Sequence, residues 1–122
     1  MKRIFSCGLA LAVLAVLSLP AFAADEGSTV SVKGEVLDLA CYLASGASGE
    51  GHAKCAQACV KGGQPMGLLD DEGNVWVLYA SHEDGAAFDE TKNFAGKKVE
   101  IDGVAGKRAG LNGLEVHAVK AL

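Results

Sequence analysis

The sequence predicts a single, mainly β domain with five strands and two helices. Apolar and polar residues alternate in three segments, as they do on strands with one buried face. Two short apolar runs are separated by an acidic turn, which is typical of a hairpin. Good helix formers followed by Gly62-Gly63 and Pro65 indicate one helix, placed between the first and second strands. Helices are therefore expected only in the connections between strands.

Residues 1–23 have the pattern of an export signal. Lys2 and Arg3 precede an apolar core, and Ala21-Phe22-Ala23 matches an A-x-A cleavage site. The apolar core has about 10 residues, whereas a membrane span needs about 20. Cys7 lies before this core and is expected to leave with the signal. We therefore expect one mature domain, residues 24–122, in the periplasm or secreted.

The first strand and the helix after it occupy the N-terminal half of the mature chain. Residues 29–39 alternate in the period of a strand, and Gly34 within them predicts a bulge or a sharp bend. Residues 43–51 are small and glycine-rich, which predicts a loop. Residues 51–61 then form the predicted helix of about three turns.

The C-terminal half supplies four strands and a second helix. The apolar runs 65–69 and 74–80 form the predicted hairpin, and the continuous run from Val75 to Tyr79 predicts a central strand covered on both faces. Trp76 within it is expected in the core. A short second helix is predicted within 81–94, and the last two strands are predicted at 97–105 and 113–121.

This order of elements resembles the OB-fold, a small five-stranded barrel. The resemblance covers the whole mature chain and includes the glycine in strand one and the helix between strands three and four. The segment from Phe94 onward, FAGKKVEIDGVAGK, is similar to small secreted bacterial OB-fold proteins. The resemblance implies a closed or nearly closed barrel, with the cysteine-bearing helix between strands 1 and 2 and the short helix between strands 3 and 4.

Residues 38–69 also resemble a group of uncharacterised exported bacterial proteins. The shared pattern is Asp-x2-Cys-Tyr, a glycine-rich loop, His-x2-Cys-Ala-x2-Cys and Gly-x-Pro-x-Gly-Leu-Leu. Its positions are Asp38, Cys41, Tyr42, His52, Cys55, Ala56, Cys59, Gly63, Pro65, Gly67, Leu68 and Leu69. This resemblance implies membership of that group of proteins, and no activity is inferred from it.

Within the segment, Cys41, His52, Cys55 and Cys59 form a candidate metal site. On a helix, Cys55 and Cys59 share one face about 6 Å apart along the axis, and Cys41 at the end of strand one could supply a third thiolate. His52 joins them only if the helix begins after it. Such a set suits zinc or copper, and thiolates also suit an iron–sulfur cluster. Asp38 is expected to cap or orient this site, or to end the strand.

Two alternatives to a metal site remain open. Outside the cytoplasm, oxidising conditions favour a disulfide between Cys41 and one of the helix cysteines. Such a bond would contribute about 2–4 kcal/mol to folding stability, and the protein would then be a disulfide-stabilised binding or interaction domain. The third cysteine, or a free thiol beside His52, could instead be reactive. The sequence shows no Ser-His-Asp order, paired carboxylates or phosphate-binding glycines, and therefore favours a binding module over an enzyme.

The charge balance limits the classes of partner. The whole chain has 11 basic and 15 acidic residues, and loss of Lys2 and Arg3 makes it more acidic still. Nucleic acid and anionic membranes are therefore not expected as partners. The OB resemblance implies that Lys107 and Arg108, in the last predicted loop, border the cysteine segment. That would suit an unknown partner protein or a small anionic ligand. His82, His117 and Met66 are expected to be structural or solvated.

Overall fold

The computed structural model describes residues 27–122, which form five strands and three α-helices. The predicted export signal and Cys7 lie outside these residues. The strands are β1 (Thr29–Asp38), β2 (Met66–Asp70), β3 (Val75–Ala80), β4 (Lys98–Arg108) and β5 (Leu111–Ala121). The helices are α1 (Leu39–Ser45), α2 (Ala53–Lys61) and α3 (Ala86–Thr91), and 3-10 turns span Glu50–His52 and Lys92–Phe94.

The strands form a closed barrel in the order β1-β2-β3-β5-β4, which confirms the predicted OB-like fold. Neighbouring strands are antiparallel except for β3 and β5, which pair in parallel from Trp76↔Asn112 to Ala80↔Val116. The helical segment from α1 to α2 connects β1 to β2, and α3 connects β3 to β4, as predicted. None of the helices within residues 27–122 has the length and apolar character needed to cross a bilayer.

The barrel interior is filled by alternating residues of the strands and closed by α2. Fully buried side chains from four strands meet there, and Ala56 and Val60 of α2 join the same cluster at 1% exposure. The strand residues with no exposed surface are Val36, Leu68, Val99, Ile101, Leu114 and Val116. Because Ala56 and Val60 are four residues apart, one face of α2 is fixed against the core.

Two glycines allow strands to cross closely within the barrel. A Cβ at Gly34 would lie 2.3 Å from the carbonyl oxygen of Leu69, because β1 pairs here with β2 and β4 at once. The predicted irregularity at Gly34 is therefore a close crossing. The register shift lies in β4, between Asp102 and Gly103, where a Cβ on Gly103 would lie 1.9 Å from the Glu115 carbonyl oxygen.

Several local predictions need correction. Residues 39–45 form α1, so that residues 43–45 of the predicted loop are helical, because Asp38 caps this helix and Gly46, with φ 72°, ends it. β4 and β5 extend further than predicted, so Lys107 and Arg108 belong to β4. β3 is not covered on both faces, since Tyr79 is 41% exposed.

The β2–β3 hairpin is organised around Asp70. Its Oδ2 accepts a hydrogen bond from Trp76 Nε1 at 2.9 Å, and its Oδ1 accepts from the backbone N–H groups of Glu72 and Asn74 at 3.0 and 2.8 Å. Burial alone would raise the pKa of Asp70, but these hydrogen bonds outweigh it and lower the pKa from its ordinary value of 3.8. The ionised carboxylate therefore stabilises the turn and holds the partly buried Trp76.

We expect Asp70→Ala to lower the free energy of unfolding at neutral pH by about 1 kcal/mol, because its hydrogen bonds are partly solvent-exposed. Since the folded pKa lies below the unfolded one, this contribution is present above about pH 4 and is lost as the pH falls through the folded value. Urea unfolding at pH 7 and pH 3 measures both effects. Asp71→Ala, which removes only an exposed ion pair to Lys98, is the matched control. Equal destabilisation by both variants would contradict the role given to Asp70.

Candidate functional site

Asp38 lies at the centre of the site, at the junction of β1 and α1. Its Oδ1 accepts hydrogen bonds from the backbone N–H groups of Ala40 and Cys41, at 2.9 and 3.4 Å, and so caps α1. The side chain is only 1% exposed, and its Oδ2 has no hydrogen-bond partner among the described residues. The cap locks one carboxylate oxygen in place and leaves the other buried and unsatisfied.

Cys41 and His52 meet Asp38 from two different segments. One ligand atom from each of the three residues lies within 4.8 Å of the other two. Cys41 is in the first turn of α1, and His52 ends the 3-10 turn that precedes α2. The backbone N–H of Gly49 donates a hydrogen bond to Glu35 of β1, which holds the loop before His52 against the barrel. His52 Nε2 is also buried without a partner among residues 27–122.

The start of α2 decides whether His52 can join the cysteines. α2 begins at Ala53, with His52 as its N-cap residue, so the condition stated from the sequence is met. Cys59 of α2 is half-buried, and its thiol interacts with the Asp38 carboxylate and with Cys55, whereas Cys55 itself is exposed. Within residues 27–122 all three cysteines are free thiols.

The thiols and the carboxylate affect one another's protonation. Contact with the Asp38 carboxylate, together with desolvation and the neighbouring thiols, raises the pKa of Cys41 to about 11. Desolvation, the Asp38 carboxylate and Cys55 also raise the pKa of Cys59. Burial would raise the pKa of Asp38, but contacts with Cys41, Ala40 and Cys59 reverse this and lower it. At neutral pH the cluster therefore holds an ionised carboxylate beside protonated thiols, which a metal cation would convert to thiolates.

The docking of α2 fixes the position of the cluster relative to the barrel. α2 packs against β1 and against the 3-10 turn Lys92–Phe94. Gln57 Nε2 donates to the Ala95 carbonyl oxygen at 3.3 Å. Gly96, with φ 82°, lies so close to the helix that a Cβ there would be 2.4 Å from Ala53 Cα. This close approach is possible only with glycine, and it places His52 and α2 next to the end of β1.

The other candidate residues lie outside the cluster, although Met66 is paired with Asp38 across β1 and β2. Met66 is a core residue of β2 at 1% exposure, and exposed His117 pairs with Glu115 through its Nε2 at 2.9 Å. The expectation that Lys107 and Arg108 border the cysteine segment is wrong. They lie at the far end of β4, whereas α2 packs against the residues that precede this strand. β4 is antiparallel to β1, so its far end is next to the start of β1 and away from Asp38.

Sequence reasoning grouped Cys41, His52, Cys55 and Cys59 but assigned Asp38 only a capping or orienting role. The structure brings Asp38, Cys41 and His52 together, and both half-buried Cys59 and exposed Cys55 lie outside this group of three. The signal for Asp38 is its position at the end of a strand and three residues before a cysteine, which is where an N-cap carboxylate faces the first turn of a helix. Comparison of the chain with models of protein families, with curated proteins and with solved structures gives no match.

Proposed function

We propose that this protein is an exported metal-binding module for zinc or copper, built on Cys41, His52, Cys55 and Cys59 with Asp38 beside them. The proposal combines three features: soft thiol ligands, an imidazole, and a buried carboxylate at the junction of a strand and a helix. Export rests on the pattern of residues 1–23 and predicts a periplasmic or secreted location.

The observation that carries the proposal is a pair of buried, unpartnered ligand atoms. Asp38 Oδ2 and His52 Nε2 are both inaccessible to solvent and make no hydrogen bond within residues 27–122. Burying such groups without strong hydrogen-bond partners is costly, and beyond the two backbone N–H groups on Oδ1 the Asp38 carboxylate has only the weakly donating Cys41 and Cys59 thiols beside it. Their residues share a space less than 5 Å across with the Cys41 thiol. A metal cation bound there would satisfy both atoms at once.

The rival function is a disulfide-stabilised binding domain without metal. The Cys41 and Cys59 thiols both contact the Asp38 carboxylate, so these two cysteines are the natural pair for such a bond. A disulfide would join α1 to α2 and restrain the glycine-rich loop between them. It would also remove two of the ligands, so that the two functions exclude each other in any one molecule.

Intact mass of the secreted mature chain under denaturing, non-reducing conditions distinguishes the two functions. We expect three free thiols, together with one stoichiometric metal ion in the native mass spectrum and in elemental analysis. Loss of two hydrogens and absence of metal would establish the disulfide-stabilised domain instead. The mass of the same chain also reports whether residues 1–23 have been removed, and fractionation of expressing cells tests the location.

A further inference from the structure

We propose that the site is selective for a divalent ion of the zinc type, held by Asp38 Oδ2, Cys41, His52 and Cys59, with Cys55 outside the ligand set. This rests on the proposed function and specifies the metal class, one additional ligand and one cysteine that the metal does not use. It assigns Asp38 as a direct ligand in addition to its role as the cap of α1.

The position of Asp38 supports direct ligation. Its Oδ1 is occupied by two backbone N–H groups, so rotation of the carboxylate to satisfy Oδ2 elsewhere would uncap α1. Oδ2 is therefore held in place, and one carboxylate oxygen of Asp38 lies within 4.8 Å of the Cys41 sulfur and of a His52 ring nitrogen. Carboxylate, imidazole and thiolate are all ordinary zinc ligands, and four of them complete a tetrahedral shell.

The charge of the ligand set favours a dication over cuprous copper. One carboxylate and two thiolates carry three negative charges, so Zn²⁺ leaves one net negative charge on the site and Cu⁺ leaves two. In a site where Asp38 is 1% exposed, the larger residual charge is the less stable. Cu⁺ also prefers soft sulfur ligands, and a buried carboxylate adds nothing to its binding.

The two cysteines of α2 have different surroundings. Cys59 is partly buried and its thiol interacts with the Asp38 carboxylate, whereas Cys55 is exposed. Cys59 is therefore the residue that can complete the shell around an ion bound to Asp38 and Cys41, and Cys55 is left as an accessible thiol.

The test compares metal binding by the mature protein and three variants: Asp38→Asn, Cys59→Ser and Cys55→Ser. Chelator competition gives the affinities for Zn²⁺ and Cu⁺, and the Co²⁺-loaded protein gives an absorption spectrum whose sulfur-to-metal band scales with the number of thiolates. Asn is itself a good N-cap residue, so Asp38→Asn retains the cap of α1 while removing the charge. Circular dichroism verifies that each variant is folded.

We expect Asp38→Asn and Cys59→Ser to weaken Zn²⁺ binding by more than about 100-fold, since even outer partners of a ligand account for about 10–100-fold. Cys55→Ser should bind Zn²⁺ like the parent, and the Co²⁺ band should correspond to two thiolates. Preferential binding of Cu⁺, a three-thiolate band, or unchanged Zn²⁺ affinity in Asp38→Asn would overturn this inference while leaving a metal-binding function. Absence of binding of both Zn²⁺ and Cu⁺ by the reduced parent would overturn both.

Discussion

Adding Zn²⁺ to the reduced, metal-free protein is expected to raise its Tm by about 15 °C or more. At a free concentration about 1,000 times Kd, a ligand that binds only the folded state stabilises it by about 4 kcal/mol. In a domain of about 100 residues each 1 kcal/mol corresponds to about 4–8 °C. The proposed ligands come from the end of β1, from α1, from the turn before α2 and from α2 itself, so the ion would join α1 to the segment that carries His52 and Cys59.

A pair of histidine variants tests whether this stabilisation comes from the proposed site. His52→Ala should lose most of the Zn²⁺-induced rise in Tm, because it removes a ligand, yet it should fold normally, because His52 Nε2 makes no hydrogen bond within the described residues. His117→Ala is the matched control, since this exposed histidine pairs only with nearby Glu115. Differential scanning calorimetry with and without Zn²⁺ measures both. An equal rise in the two variants would show that the ion binds elsewhere.

Gly96→Ala is expected to destabilise the fold by about 3 kcal/mol and to weaken metal binding as well. The left-handed conformation of residue 96 would cost an alanine about 1–2 kcal/mol, and forcing its Cβ against Ala53 adds about 1–3 kcal/mol. The clash is with helix backbone, since the Cβ would lie 2.4 Å from Ala53 Cα and 3.0 Å from its nitrogen. Relief requires movement of the start of α2, which carries the adjacent His52 with it.

Gly110→Ala separates these two effects. Gly110 has φ 81°, almost the same as Gly96 at 82°, but a Cβ there meets no atom within 4 Å. We expect this variant to lower the free energy of unfolding by only about 1 kcal/mol, because alanine disfavours the left-handed conformation of residue 110. Its metal affinity should equal that of the parent. Urea unfolding and chelator competition on both variants give the comparison. If the two glycine variants are equally stable, the close packing of α2 on residue 96 does not contribute to the fold.

The local patterns of the sequence identified the elements and their order. Alternation of apolar residues located β1, β4 and β5 because a strand places successive side chains on opposite faces. The acidic turn located the β2–β3 hairpin, and the run of helix formers up to Gly62 located α2. The i, i+4 spacing of Cys55 and Cys59 also predicts that both lie on one side of α2.

The sequence-based predictions failed where neighbouring segments change a local preference. The small residues of 43–51 predict a loop, yet residues 43–45 are helical because they continue α1, which Asp38 caps. The continuous apolar run of β3 indicates burial on both faces, but Tyr79 is 41% exposed. The requirement for glycine at positions 34, 96 and 103 arises from backbone that approaches from distant parts of the chain. No local pattern encodes such an approach.

By itself, the sequence determined a mainly β chain with a cysteine- and histidine-bearing connection after its first strand, because periodicity and composition are local properties. Only the tertiary structure decided which of those residues meet. His52 reaches Asp38 because α2 begins after it and packs across the barrel beside Gly96. Cys59 is half-buried and Cys55 is exposed, since Ala56 and Val60 fix the face of α2 that is buried. The proposed ligand set therefore depends on how the helix docks, which is decided by contacts between residues far apart in sequence.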